Sequence, residues 1–411
     1  MEAPDEHDSR NGHVVTLSGR GRGQRLGRHS SWIEWQANPS DASSGEFYGT
    51  AAALSGARAV IGAFGDNSHQ GSAYVLKKIG TTWQQMQKIV ADDGLAGDEF
   101  GYDAAMTPGL IAVTAWNATV GSNTAQGAVY LYETQNGSWT QTQKLLADDG
   151  SFFDNFGQSV AIDGTTVLVG ANGATIGNQG AQGAAYVFVN AGAGWVQQQK
   201  VFADDGDTVD NFGFSTAIRG STLFVGAHQA MVNGHANQGA VYFFTEAGNV
   251  WTQTQKISSS DGGTNDAFGS SMSFDGTTLV VGATGADGTG AAYVFENDGG
   301  TWTQVQKLTA DDGANGDNFG DAVSLHGNDI LVAADVATVD GITSRGAGYL
   351  FTRVGGAWQQ THKFVASDGG VDNFYGSAAA FDGETAILTS AQHNAAYFYT
   401  RDTVFADGFD G

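Results

Sequence analysis

Seven times along the chain a Phe and a Gly close an acidic turn and open an apolar run: Phe47/Gly49, Phe100/Gly101, Phe156/Gly157, Phe212/Gly213, Phe268/Gly269, Phe319/Gly320 and Phe374/Gly376. The pairs recur about every 55 residues, a period that marks stacked supersecondary units rather than separate domains. Such a scaffold commits most recurring residues to packing. Function is then to be sought where one copy departs from the rest.

One unit shows what each copy holds. Residues 156–162, 165–171, 183–188 and 195–201 are four short runs of β type, bounded by Gly, Asp and Asn, with no helical period. Asp163 and Gly164 read as a two-residue hairpin turn, and Asp275/Gly276 and Asp382/Gly383 hold the same place in their copies. Four antiparallel strands repeated seven times predict an all-β fold, a seven-bladed β-propeller spanning residues 31–400. Glycine supplies 61 of 411 residues, about twice the usual share of roughly 7%, as many tight turns require.

The ends of the repeat predict how the ring closes. The last copy lacks a Trp strand, whereas residues 32–38 (WIEWQAN) form a strand with no repeat before it. Trp83, Trp139, Trp195, Trp251 and Trp302 each lie seventeen positions before the next Phe; Trp358 lies sixteen and Trp32 fifteen before theirs. The N-terminal strand is therefore expected to complete the seventh blade, removing two open sheet edges. Residues 1–30, with Arg20, Arg22, Arg25 and Arg28 and no hydrophobic period, read as a disordered arm, and 401–411 as an acidic tail.

Composition excludes several functions. Without cysteine there is no disulfide, thiolate nucleophile or Cys-bound metal. A formal net charge of −25 argues against nucleic acid and anionic membrane surfaces, and favours cations, basic partners or neutral ligands such as glycans. No apolar run approaches the roughly 18 residues of a membrane span.

The Phe-Gly openings, with Gly-Ala at Gly62/Ala63, Gly170/Ala171, Gly226/Ala227 and Gly282/Ala283, resemble the FG-GAP repeat. That repeat builds the propeller of integrin α subunits and of many bacterial secreted proteins. The chain departs from it at Thr114/Ala115, Ala333/Ala334 and Ser390/Ala391, and the Pro after Gly-Ala is missing. The resemblance implies a secreted or cell-surface binding scaffold, often adhesive, although no signal-peptide core is visible at the N-terminus. The family's calcium loops do not carry over, because the first-to-second-strand connection here is a bare turn with too few oxygen ligands.

Carboxylates cluster elsewhere. Asp148/Asp149/Asp154, Asp204/Asp205/Asp210 and Asp311/Asp312/Asp317 share the spacing D-D-x(4)-D before the Phe-Gly. They are candidate Ca²⁺ ligands, against the simpler reading that Asp builds a recurring turn, which repetition in nearly every copy favours. The seven Phe are expected to wedge between blades. Lys88, Lys144, Lys200, Lys256, Lys307 and Lys363, which end the outer strands, are expected to pair with nearby Asp.

The loops between the second and third strands vary most. They hold His69, Trp116, Asn117, His228, His235, Arg345 and His393, the candidate ligand-binding residues, since aromatic and polar groups together suit a carbohydrate or protein ligand. The reading favoured is a non-catalytic binding or adhesion scaffold, expected to be a monomer with no cofactor beyond the candidate Ca²⁺. The alternative is a propeller hydrolase acting on glycans or phosphoesters through channel-mouth carboxylates; no GxSxG, HExxH or P-loop motif supports it. An Arg-lined pocket with paired carboxylates would favour the hydrolase.

Overall fold

The computed structural model describes residues 32–401 apart from Ala42 and Ser44. The arm at 1–30 and all of the tail but Arg401 lie outside the described residues. Seven four-stranded antiparallel sheets succeed one another along the chain. In the third blade the strands are Phe156–Asp163, Thr166–Ala171, Ala184–Asn190 and Trp195–Val201, from the central channel outward. The period-2 burial of the outer strands and the continuous burial of the two middle ones follow from position, since the outer strand, unlike the middle two, has a solvated side.

The seventh sheet closes as the sequence predicts. Trp32–Ala37 pairs antiparallel with Ala395–Arg401, with Trp32 opposite Arg401 and Ala37 opposite Ala396. Arg401, placed by sequence at the head of the tail, is the last residue of that strand, and its guanidinium meets Asp329 at 2.7 Å. One detail of the hairpins differs from expectation. Asp163 lies opposite Thr166, so the turn residues are Gly164 and Thr165, and only Gly164 takes positive φ, at 55°. Gly in the first turn position gives the same strand twist as the expected turn.

The core lies between blades. Val60, Val75 and Ile89 of the first blade meet Phe100, Ile111, Tyr130 and Trp139 of the second, and equivalent clusters recur around the ring. The ring that wedges between blades is Phe100, Phe156, Phe212, Phe268 and Phe319 in five copies, packed against a tyrosine of the third strand, edge-on in the first four and tilted at 56° for Phe319. In the first and seventh copies the expectation fails: Tyr48 and Tyr375 take that place, buried and edge-on to Tyr74 and Tyr397. Counting from these tyrosines removes an irregularity in the sequence. Trp358 then lies the usual seventeen positions before Tyr375, and Trp32 lies sixteen before Tyr48. The missing residue is the bulge that interrupts the other outer strands but not Trp32–Ala37.

The recurring glutamines are staples. Gln143 Nε2 donates to the Trp195 carbonyl at 2.6 Å, and the Trp195 N–H donates back to Gln143 Oε1 at 2.8 Å. Gln87, Gln199, Gln255 and Gln306 do the same for the next Trp. At the closure Trp35 Nε1 substitutes, donating to the Trp83 carbonyl at 3.1 Å.

Candidate functional site

The acidic interblade loops and the second-to-third-strand loops share one face: Asn117 Nδ2 donates to the Gly97 carbonyl at 2.7 Å, joining one loop type to the other. In the acidic loops each position has a structural partner. The third Asp caps a turn, with Asp154, Asp210 and Asp317 accepting the N–H of Ser151, Asp207 and Ala314 at 2.7–2.8 Å. The second Asp clasps the following blade: Asp149, Asp205 and Asp312 take Lys200, Lys256 and Lys363 at 2.8, 2.7 and 2.6 Å. Tyr186 Oη also donates to Asp149, and Lys200 lies over that tyrosine ring. The expected Lys–Asp pairing is present. The first Asp is exposed, and the backbone N–H of Asp148, Asp204 and Asp311 donates to Gln197, Gln253 and Gln360. Among the described residues no three His, Asp or Glu gather as a metal cluster.

The channel itself is lined by the first residues of the inner strands and opens on the same face, with a volume of about 640 Å³. Two positions vary from blade to blade at this end, the residue after the Phe-Gly or Tyr-Gly, which lines the cavity in all seven blades, and the residue after the second strand, which lines it at His228 and Thr284. They read Thr50/Phe64, Tyr102/Trp116, Gln158/Asn172, Phe214/His228, Ser270/Thr284, Asp321/Asp335 and Ser377/Ala391. By this register the seventh copy of Gly-Ala is Thr389 and Ser390, one residue earlier than the sequence suggested. The scaffold is sevenfold, but its mouth is not.

Blades one and two put aromatic rings together there. Phe47 stacks on Phe64 at 4.8 Å, Phe64 approaches Tyr102 at 6.2 Å, and Tyr102 approaches Trp116 at 5.1 Å. Trp116 Nε1 donates to Glu99 Oε2 at 2.7 Å, and His69 Nδ1 lies 3.7 Å from the other Glu99 oxygen. Phe47 keeps its place in spite of a left-handed backbone, φ 54°, which disfavours a bulky residue. The conformation itself belongs to the scaffold, since Glu99, Asn155, Asn211, Ala267, Asn318 and Phe374 take the same positive φ in the other six copies.

Of the predicted residues, His69 and Trp116 meet at Glu99, with Asn117 beside them. His228 lies further round the mouth, 3.9 Å from the Phe214 ring between centroids. His235 is exposed in a loop whose backbone pairs it with Val232, and His393 is exposed on a short turn of the seventh blade. Arg345 has a structural task. It meets Asp340 at 2.8 Å and donates to the Ala366 carbonyl at 3.3 Å, the bond that Gln182 makes to Ala203 in the third blade. Sequence reasoning missed Tyr102, Asp103, Phe214, Asp321 and Asp335. For Tyr102, Phe214 and Asp321 a signal was available: the position directly after the invariant Gly holds six residue types in seven copies.

Electrostatically the channel is acidic. Burial raises the Asp103 carboxyl to about 6, against the N–H groups of Val160 and Ala104 that favour its charge. Burial and the neighbouring Asp335 carry Asp321 to about 8, and burial also raises Asp335, with Asn318 offsetting part of it. Burial lowers His228 to about 4, leaving it neutral at pH 7. No Lys or Arg is among the residues lining the cavity.

Fold and site together define a seven-bladed propeller whose variable residues converge on one end of its channel. The FG-GAP repeat pattern matches six stretches, residues 36–76, 83–132, 139–188, 195–244, 251–295 and 302–351, well over half of the sequence. The chain belongs to the FG-GAP repeat family. Each matched unit runs from the outer strand of one blade to the third strand of the next, the same offset that the ring closure uses. No curated protein matches the sequence. In structure the chain is similar to a chain of the mitotic checkpoint complex, with a TM-score of 0.58 and 10% identity over 95% of this chain and 99% of that one, a likeness of fold alone. It is also similar to Saccharomyces cerevisiae Sqt1, with a TM-score of 0.49 and 10% identity over 86% and 96% of the two chains.

Proposed function

We propose that this propeller is a non-catalytic binding scaffold, acting outside the cell or at its surface, that recognises a glycan at the mouth of its channel. The observation that carries the reading is the contrast between scaffold and mouth. Phe/Tyr-Gly, Trp, Gln, Lys and Asp are engaged in the same bonds blade after blade, while no two blades carry the same pair of residues at the two variable positions. Rings beside carboxylates and amides suit a sugar, whose apolar face stacks and whose hydroxyls bond. A protein ligand reaching the outer loops through His235 and His393 is the other outcome of the same test. No described helix is long and apolar enough to cross a membrane.

A glycan-array screen with and without Ca²⁺ tests this. Binding weakened by Trp116→Ala and unchanged by Asp163→Ala on the opposite face supports the reading, and the reverse pattern contradicts it. The Ca²⁺ arm tests Asp148, Asp154 and their counterparts as ligands.

A second reading, a glycan hydrolase, draws on Asp103 and Asp321, two carboxyls with raised affinity for protons in one cavity. The cavity lining offers no cation for a phosphoester, so this reading extends to glycans only. Release of reducing sugar that is lost in Asp321→Asn would establish it.

A further inference from the structure

The acidic loops between blades depart from their own template at one place outside the channel. Three residues before each wedging Phe or Tyr the backbone takes positive φ in all seven loops. Gly45, Gly97, Asn265, Gly316 and Asp372 fill the position in five of them, residue types that enter the left-handed region at little cost. The remaining two, in successive loops, hold Phe153 at φ 60° and Val209 at φ 67°. A bulky and a β-branched residue are both strained there. Packing gives little in return, since Phe153 is 52% exposed and Val209 49%. Phe152, edge-on to Phe153 at 4.1 Å, is 55% exposed as well. Scattered apolar side chains are ordinary on a surface, but strain and exposure together in neighbouring loops point to a contact with another molecule.

The surroundings say which kind of molecule. The loop at 172–182 of the third blade runs between the two, bonded to each: the Gly173 N–H donates to the Asp154 carbonyl at 3.1 Å and the Val209 N–H to the Gly180 carbonyl at 3.0 Å. It carries no charge. The acidic loops at 148–155 and 204–211 contain no Lys, Arg or His. Lys200 and Lys256 each hold one carboxylate, Asp149 and Asp205, which leaves Asp148, Asp204 and Asp207 exposed and with no basic partner among the described residues. A second copy of this face or an anionic membrane would bring negative charge against these carboxylates. Basic side chains flanking apolar ones meet the carboxylates and the rings together.

We propose that this surface docks a partner protein through a segment whose Lys or Arg side chains reach Asp148, Asp204 and Asp207 while its apolar side chains cover Phe152, Phe153 and Val209. None of these six residues lines the channel, so protein docking here and glycan recognition at the mouth are separate properties.

The experiment selects a random dodecapeptide display library on the intact chain and measures the enriched peptides by fluorescence anisotropy. Enriched sequences should join Lys or Arg to aliphatic or aromatic residues, and their affinity should fall as salt rises. Phe153→Asn and Val209→Asn should each weaken binding about tenfold or more, the scale of an anchoring side chain. Val371→Asn, which replaces an exposed apolar residue of the loop between the sixth and seventh blades, should change nothing. Phe153→Asn and Val209→Asn should also unfold at a higher urea concentration than the wild type, because they relieve the strained backbone. A lower midpoint would give these side chains a structural task and overturn the inference. Affinity unchanged by both substitutions, enrichment of acidic or wholly polar peptides, or no enrichment would overturn it too. So would Phe153-dependent self-association in sedimentation velocity, or Phe153-dependent cosedimentation with phosphatidylcholine vesicles, which would assign the surface to a second copy or to a membrane. The glycan array judges the channel mouth independently.

Discussion

Deleting residues 1–38 removes the outer strand of the seventh blade, and the structure sets the scale of the damage. Trp32 lies edge-on to Phe364 at 5.2 Å and beneath the Arg401 guanidinium at 5.2 Å. Trp35 bonds the Trp83 carbonyl, which joins the seventh blade to the first. Both rings are half-buried, so each contributes less than the 3–5 kcal/mol of a fully buried Trp. Added to a ladder of antiparallel bonds at about 1 kcal/mol each, the loss comes to about 5 kcal/mol or more. That is comparable with the whole stability of many domains. The assay is urea unfolding of two truncations, one lacking residues 1–30 and one lacking 1–38, with circular dichroism as readout. The longer truncation should unfold at a much lower urea concentration, and a synthetic peptide of residues 31–39 should restore part of the difference. Equal midpoints would refute the closure.

Three further outcomes follow from the site. Burial and Asp335 carry Asp321 from its ordinary value of 3.8 to about 8, so the folded state holds a proton that the unfolded state has lost. The stability this gives is complete below pH 3.8 and is lost as pH rises through about 8. Asp321→Asn should therefore match the wild type in acid and exceed it increasingly up to pH 8 in melting temperature; a constant difference would contradict the assignment. Phe374 holds φ 49°, where the third, fourth and sixth copies have Asn, so Phe374→Asn should gain up to about 1 kcal/mol in urea unfolding, and a loss would show that its ring packs more than the strain costs. Because Asp149 and Asp154 are held by Lys200, Tyr186 and Ser151, EDTA should leave the melting temperature unchanged; a Ca²⁺-dependent rise abolished in Asp148→Ala/Asp154→Ala would establish a cation site instead.

The architecture was legible in the sequence because its determinants are local and repeated. Four β runs with a Gly turn, a Trp strand left over at one end and missing at the other, and six Lys awaiting Asp partners are all periodic signals. Where reading failed, a neighbour in sequence mimicked the true residue. Phe47 and Phe374 each precede the buried Tyr48 and Tyr375, and a Phe two positions before a Gly drew the register one position early. Only the edge-on contacts with Tyr74 and Tyr397 separate wedge from mimic, and those join residues far apart in sequence.

The site was legible only in part. Trp116 and His228 stood out as aromatic and polar residues in the variable loops between the second and third strands. Arg345 stood out for the wrong reason, since its departure from Gln preserves the same carbonyl bond. Asp321 and Asp335 were inconspicuous among 43 acidic residues until the fold set them side by side. What makes a carboxylate unusual is which charges it lacks nearby, and spacing in the chain does not reveal that.

The most direct test of the account is affinity for whichever glycan the array identifies, measured in wild type, Tyr102→Ala, Trp116→Ala and Asp163→Ala. The central claim is that ligand is taken at the channel mouth. Each aromatic truncation there should weaken binding by about 2 kcal/mol, roughly thirtyfold, with the fold intact by circular dichroism. Asp163, which bonds the Gly220 N–H at the far end of the blades, should be replaceable without loss. Unchanged affinity in both mouth variants, with loss in Asp163→Ala, would place the functional face on the opposite side of the propeller.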